Sequence, residues 1–147
     1  KLEKVHGARH PELLKINYLF TTSSGELAMH MKKEELVLFP YIRKMVKAKQ
    51  QNLALDDPHF GLVKNPIRAM MQEHDNEGER FQQIEELSNG YTPPADACNT
   101  YKVTFAILRE FQDDLHFHIH LENNVLFVEK QAAAPEHGKD FCCGSCQ

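Results

Sequence analysis

The 147-residue sequence contains no run of about twenty apolar residues, the length a membrane-spanning helix requires, and no segment patterned as a secretory signal. Cysteine is scarce. Of four, Cys98 is isolated, and Cys142, Cys143 and Cys146 crowd the end of the chain. That is not the framework that staples a small secreted domain. Positive charge is not in excess either: 17 Lys and Arg against 21 Asp and Glu leave a net charge of -4, the wrong sign for a nucleic-acid protein. These absences point to a cytoplasmic protein with no membrane or nucleic-acid partner. The length corresponds to one domain with a real core. The first residue is Lys and a His-Gly follows almost at once, so an upstream segment is expected.

What the sequence does have is nine histidines and one short motif that occurs twice. His30-Met31-Lys32-Lys33-Glu34-Glu35-Leu36-Val37-Leu38-Phe39 and His118-Ile119-His120-Leu121-Glu122-Asn123-Asn124-Val125-Leu126-Phe127 share a frame. Each reads His, three residues, Glu, two residues, Val-Leu-Phe. On a helix, residues four apart share a face, so each copy offers an imidazole beside a carboxylate, a pair suited to a transition metal. Chance alone supplies roughly one such pair in a chain this rich in His and Glu. The repeated Val-Leu-Phe flank carries more weight, because it places both pairs in similar packing.

The periodicity predicts an all-α chain of a stub and three long helices. Residues 1–7 read as a helix end stopped by Gly7. His10-Pro11-Glu12 opens a long helix. Measured from His30 at 100° per residue, Ile16, Leu19, Phe20, Leu27, Glu34, Val37, Leu38, Tyr41 and Met45 share one stripe, which selects Glu34 over Glu35. Thr21 to Gly25 is a soft spot in this helix and Pro40 predicts a kink, but one helix is expected throughout. Gln50 to Asn65 reads as a loop. A second helix starts at Pro66, with Ile67, Met70, Met71, His74, Phe81 and Glu85 on its inner stripe. Tyr91-Thr92-Pro93-Pro94 is a turn. A third helix is expected from about Asp96 to Ala132, with Thr104, Ile107, Leu108, Phe111, Leu115, Glu122, Val125 and Leu126 facing inward with His118. Residues 1–132 thus form the domain, and 133–147 a flexible Cys-containing tail. A four-helix bundle with its first helix mostly missing fits this pattern.

His6, His30, Glu34, His74, His118 and Glu122 are the candidates for one metal site. Burying carboxylates and imidazoles among Phe and Leu is costly unless a cation compensates them. Carboxylate-rich bundles bridge two metals in this way, and thiolate-free ligands suit Fe, Zn, Mn or Cu. His116 and His120 form a competing pair on the solvent side of the third helix. Gly78, four residues after His74, clears space beside the metals or allows a close helix contact. The bland alternative is a helical bundle whose histidines are hydrogen-bonded core residues.

Val-His-Gly at 5–7, His-Pro-Glu-Leu at 10–13, the two repeats, and Glu-His-Asp followed by Gly78 together resemble the hemerythrin-like domain of the iron–sulfur cluster repair di-iron proteins, the RIC (YtfE/ScdA/DnrN) type. The motifs span most of the chain in that family's order. The resemblance implies an up-down four-helix bundle around a non-haem di-iron centre. It implies His6, His30, His74 and His118 as terminal ligands, and Glu34 and Glu122 as carboxylates that bridge the irons beside an oxo group. A further family histidine would lie upstream of Lys1, and the family's small N-terminal cysteine-bearing domain is absent from this sequence. Val128 stands where the first repeat has Pro40, and residues 47–66 look like an insertion. The implied function is repair of iron–sulfur clusters damaged by nitrosative or oxidative stress, by donation of iron to damaged or apo iron–sulfur proteins. The alternatives are a di-iron nitric oxide or peroxide reductase, and a hemerythrin-like carrier or sensor of O2 or NO. The oligomeric state is not legible.

Overall fold

The computed structural model describes residues 1–54 and 64–127, and among these there are helices and turns but no strand. Five α-helices follow one another: α1 (Leu2–His6), α2 (Glu12–Lys33), α3 (Phe39–Gln51), α4 (Lys64–Leu87) and α5 (Asn99–Leu121). Two π-helical turns continue them without a break, Glu34–Leu38 between α2 and α3 and Glu122–Leu126 after α5.

The long first helix is therefore continuous from Glu12 to Gln51, as its periodicity predicts. The Thr-Ser-Gly stretch does not interrupt it. Thr22 returns its hydroxyl to the Tyr18 carbonyl, and fully buried Ser23 donates to Glu77 across the bundle. Just before Pro40, where a kink is expected, the helix makes a π turn. In place of an α-helical partner, the Phe39 N–H bonds to the Glu34 carbonyl, five residues back. Proline is not its whole cause, because the second repeat makes the same turn from Phe127 N–H to Glu122. Asn52, in the left-handed region at φ 51°, ends α3.

Three long helices run up, down and up, as their shared cores show. One apolar cluster joins the start of α2 (Leu13, Ile16, Leu19), the end of α4 (Phe81, Ile84) and the body of α5 (Tyr101, Phe105, Leu108, Leu115). A second joins Leu38, Ile42 and Met45 to Ile67 and Met70 at the start of α4 and to Phe127. Between them, each chain segment carries its candidate ligands: His30 and Glu34, His74, and His118 and Glu122. Among the described residues, the candidate ligands thus form a polar layer between two apolar cores.

The turn between α4 and α5 is tightly built. Asn89, Gly90 and Tyr91 all have positive φ. Ser88 Oγ bonds the Glu85 carbonyl and receives the Tyr91 N–H, both at 3.0 Å. Buried Tyr91 donates its hydroxyl to Gln112, which donates onward to Glu85 at 2.8 Å. α5 starts at Asn99, three residues later than expected, because Asp96 is engaged by Arg9 and His10 and Cys98 is extended. Thr104, Ile107 and Phe111 do not all face a core: Ile107 is 57% exposed, beside an apolar groove between α2 and α5. Residues 55–63, where a loop is expected, and residues 128–147, where the end of the third helix and a tail are expected, lie outside the described residues.

Candidate metal centre

Five of the six expected residues meet. One ligand-type atom from each of His30, Glu34, His74, His118 and Glu122 lies within 4.8 Å of all the others. All but His118 are buried. His30 Nε2 is 3.0 Å from Glu34 Oε1 and 3.0 Å from His74 Nε2. Glu122 Oε2 lies 3.2 Å from His74 Nε2 and 3.6 Å from His118 Nε2. Three imidazoles therefore converge on two carboxylates through the same ring nitrogen.

The far nitrogens decide what that convergence means. His30 Nδ1 is 2.8 Å from Glu73 Oε2, and His74 Nδ1 is 2.9 Å from Asn123 Oδ1. Both partners are acceptors, so in the neutral rings Nδ1 carries the hydrogen and Nε2 presents a lone pair. Two Nε2 lone pairs then face each other at 3.0 Å, beside Glu34 Oε1 and Glu122 Oε2, which are buried with no hydrogen-bond partner. Orphaned buried acceptors are costly, and a cation in their midst satisfies them together. The donor set fits a bound transition metal.

Electrostatics point the same way. Burial raises the Glu34 carboxyl above its ordinary value, and the Glu122 carboxylate adds to the rise while His30 opposes it. Burial would lower His30, but the Glu34 and Glu73 carboxylates beside it outweigh that and leave its pKa raised. Burial pushes Glu73 up, yet Lys33 and His30 bring it below the ordinary carboxylate range.

His6 is the exception: the structure does not bring it to this cluster. It is buried against Tyr101, at 5.4 Å between ring centroids, with Nε2 3.2 Å from Cys98 Sγ. Tyr101 is 17 residues before His118 on one helix, roughly 25 Å away at 1.5 Å per residue. His30 likewise lies 18 residues beyond the first residue of α2, and the five-residue α1 does not span that length. His116 and His120 are solvent-exposed, as expected. At Gly78 a Cβ would meet nothing within 4 Å, so the position is open space in a groove shared with His74, not a close helix contact.

Sequence reasoning missed Glu73 and Asn123, although each stands directly beside a candidate ligand. It also missed Glu77, which is buried on α4 between Ser23 and Arg80. A cleft of about 230 Å³ between α2 and α4, walled by Glu26, Lys33, Glu73 and Glu77, reaches His30 and His74. Phe127 closes the other side, stacked on His74 at 6.1 Å and 4°.

The model of the hemerythrin HHE cation binding domain matches residues 1–129. The chain is 38% identical over 127 residues to a probable iron-sulfur cluster repair protein of Haemophilus influenzae, covering 86% of this chain and 51% of that protein. It is 39% identical to the iron-sulfur cluster repair protein YtfE of Pectobacterium atrosepticum and 36% identical to that of Escherichia coli, each over 86% of this chain and 52% of the relative. The chain spans about half the length of the curated relatives it matches.

Proposed function

The chain belongs to the hemerythrin HHE cation-binding family, and from that premise we propose that it is a non-haem di-iron protein that restores damaged iron–sulfur clusters by donating iron. One observation carries the metal half of this reading: Nε2 lone pairs and unpartnered carboxylate oxygens crowded within 4.8 Å in a buried layer. The relatives' names, iron-sulfur cluster repair proteins, support the other half.

In this reading His30, Glu34, His74, His118 and Glu122 would together hold two iron ions, which would supply redox and Lewis-acid chemistry and would also be the cargo. The residues do the rest. Glu73 and Asn123 hold two imidazoles in one tautomer, the two apolar cores exclude water from either end, and half-exposed His118 leaves one side of the layer accessible to solvent. The clients would be damaged or apo iron–sulfur proteins in the cytoplasm. No helix among the described residues is long and apolar enough to cross a membrane.

Anaerobic mixing of the iron-loaded protein with an apo iron–sulfur protein tests the proposal. Cluster formation on the client that consumes bound iron, without catalytic loss of nitric oxide, is the expected result. Multiple turnovers of nitric oxide with a reductant would make it a reductase instead. Reversible O2 or NO binding with no iron transfer would make it a carrier or sensor.

A further inference from the structure

We propose that Glu73 and Asn123 are positioning residues that make the two ends of the centre hold metal unequally, with the His30 end retaining its ion and the His118 end giving its ion up. The inference rests on the reading of the site as a two-ion centre and adds which end is labile.

The two contacts share a pattern. Glu73 precedes His74 on α4 and reaches across to His30 of α2 at 2.8 Å. Asn123 follows Glu122 after α5 and reaches across to His74 of α4 at 2.9 Å. Each thus orients a ring on the neighbouring helix while its own chain neighbour turns into the site. The third histidine has no such support: among the described residues no acceptor faces His118 Nδ1, and its side chain is 39% exposed against 3% for His30 and 2% for His74.

The acceptors differ in kind. Glu73 is a carboxylate, fixed from the far side by the Lys33 ammonium on its other oxygen. An ionised acceptor makes a stronger hydrogen bond than a neutral amide, and it leaves the opposite ring nitrogen a better metal donor. Asn123 offers only an amide oxygen. Among the described residues His118 has no acceptor of either kind, and its side chain is the most exposed of the three. Donor strength and ring immobility therefore fall in the order His30, His74, His118. Such outer partners are typically worth about 10- to 100-fold in metal affinity. That is enough to separate a kept ion from a released one in a protein whose task is donation.

The test follows stepwise loss of iron, or of cobalt(II) as a spectroscopic substitute, from the fully loaded protein to a competing chelator. The wild type should release two equivalents in two phases. Glu73→Gln keeps the size and the hydrogen bond but removes the charge. It should accelerate or weaken the slow phase by about 10- to 100-fold and leave the fast phase unchanged. Lys33→Met should shift the slow phase the same way by less. His74 and His118 share Glu122 Oε2 while His30 lies against Glu34, so Asn123→Asp, acting through His74, should slow the fast phase. Glu73 and Lys33 are partly exposed, and an unchanged circular-dichroism melt of the metal-free variants keeps a folding defect apart from a change at the site. Two equivalents lost in a single phase, or Glu73→Gln altering both phases alike or neither, would overturn the inference while leaving the two-ion centre intact. Uptake of fewer than two equivalents by the wild type would instead overturn the reading beneath it.

Discussion

A buried carboxylate with an oxygen that nothing hydrogen-bonds, as at Glu34, weakens the metal-free chain. Replacing such ionic groups with apolar ones of similar volume is often stabilising, by roughly 1–4 kcal/mol. Glu34→Leu should therefore raise the urea stability of the metal-free protein while costing it at least one iron. Two irons per chain in both Glu34→Leu and Glu122→Leu would contradict their bridging role. Gly78 makes a separate point. A methyl there meets nothing within 4 Å, and alanine in a helix is favoured over glycine by about 0.8–1.0 kcal/mol. Gly78→Ala should gain about that stability in denaturant titrations, with unchanged iron content. A change in iron content would restore the view that the glycine clears space for a ligand of the metals.

At the scale of the elements, the two π turns explain where helical periodicity misleads. A uniform 100° per residue puts Val37 and Val125 inward and leaves Ile42 and Phe127 off the stripe. The structure does the reverse: Val37 is 43% and Val125 52% exposed, while Ile42 is 8% and Phe127 0%. Each π turn inserts one extra residue after the ligating Glu, so every later position shifts by roughly 100°. No residue type in the repeat announces that insertion, so the ligands were legible and the packing just beyond them was not. Deleting exposed Glu35 should remove the extra residue and keep Leu38 and Ile42 inward. We expect a thermal melt no lower than that of the wild type, but weaker metal retention against a chelator. A protein that fails to fold would show the π turn to be needed for the second core. The α4–α5 turn yields a pH dependence. Burial, aided by Glu85, pushes the Tyr91 phenol up to about 12. An unfolded tyrosine ionises near 10. The folded state thus keeps a proton that the unfolded state loses, so this contribution is whole below pH 10 and disappears between about 10 and 12. Tyr91→Phe should flatten that alkaline loss in urea titrations at pH 9 and 11. An equal loss in both proteins would refute it.

For the whole molecule, much of the plan was legible because it follows from spacing. The repeat marked both His/Glu pairs, the wheel chose Glu34 and His118 over their neighbours, and the all-α order of elements followed from uninterrupted amphipathic runs. His6 was not legible from spacing. Its placement depends on how far a five-residue helix reaches from the end of the bundle, and sequence adjacency to His10 says nothing about that. Glu73, Asn123 and Glu77 stayed hidden because polar residues beside an inward-facing histidine look like ordinary solvent-facing ones. The structure turns this plan into two apolar cores with a single polar layer between them. Iron quantitation with an optical spectrum, on the protein purified after iron loading, shows whether this layer holds two iron ions. Two irons per chain with oxo-bridge absorption are expected; zinc in their place, or no bound metal at all, would refute the di-iron centre.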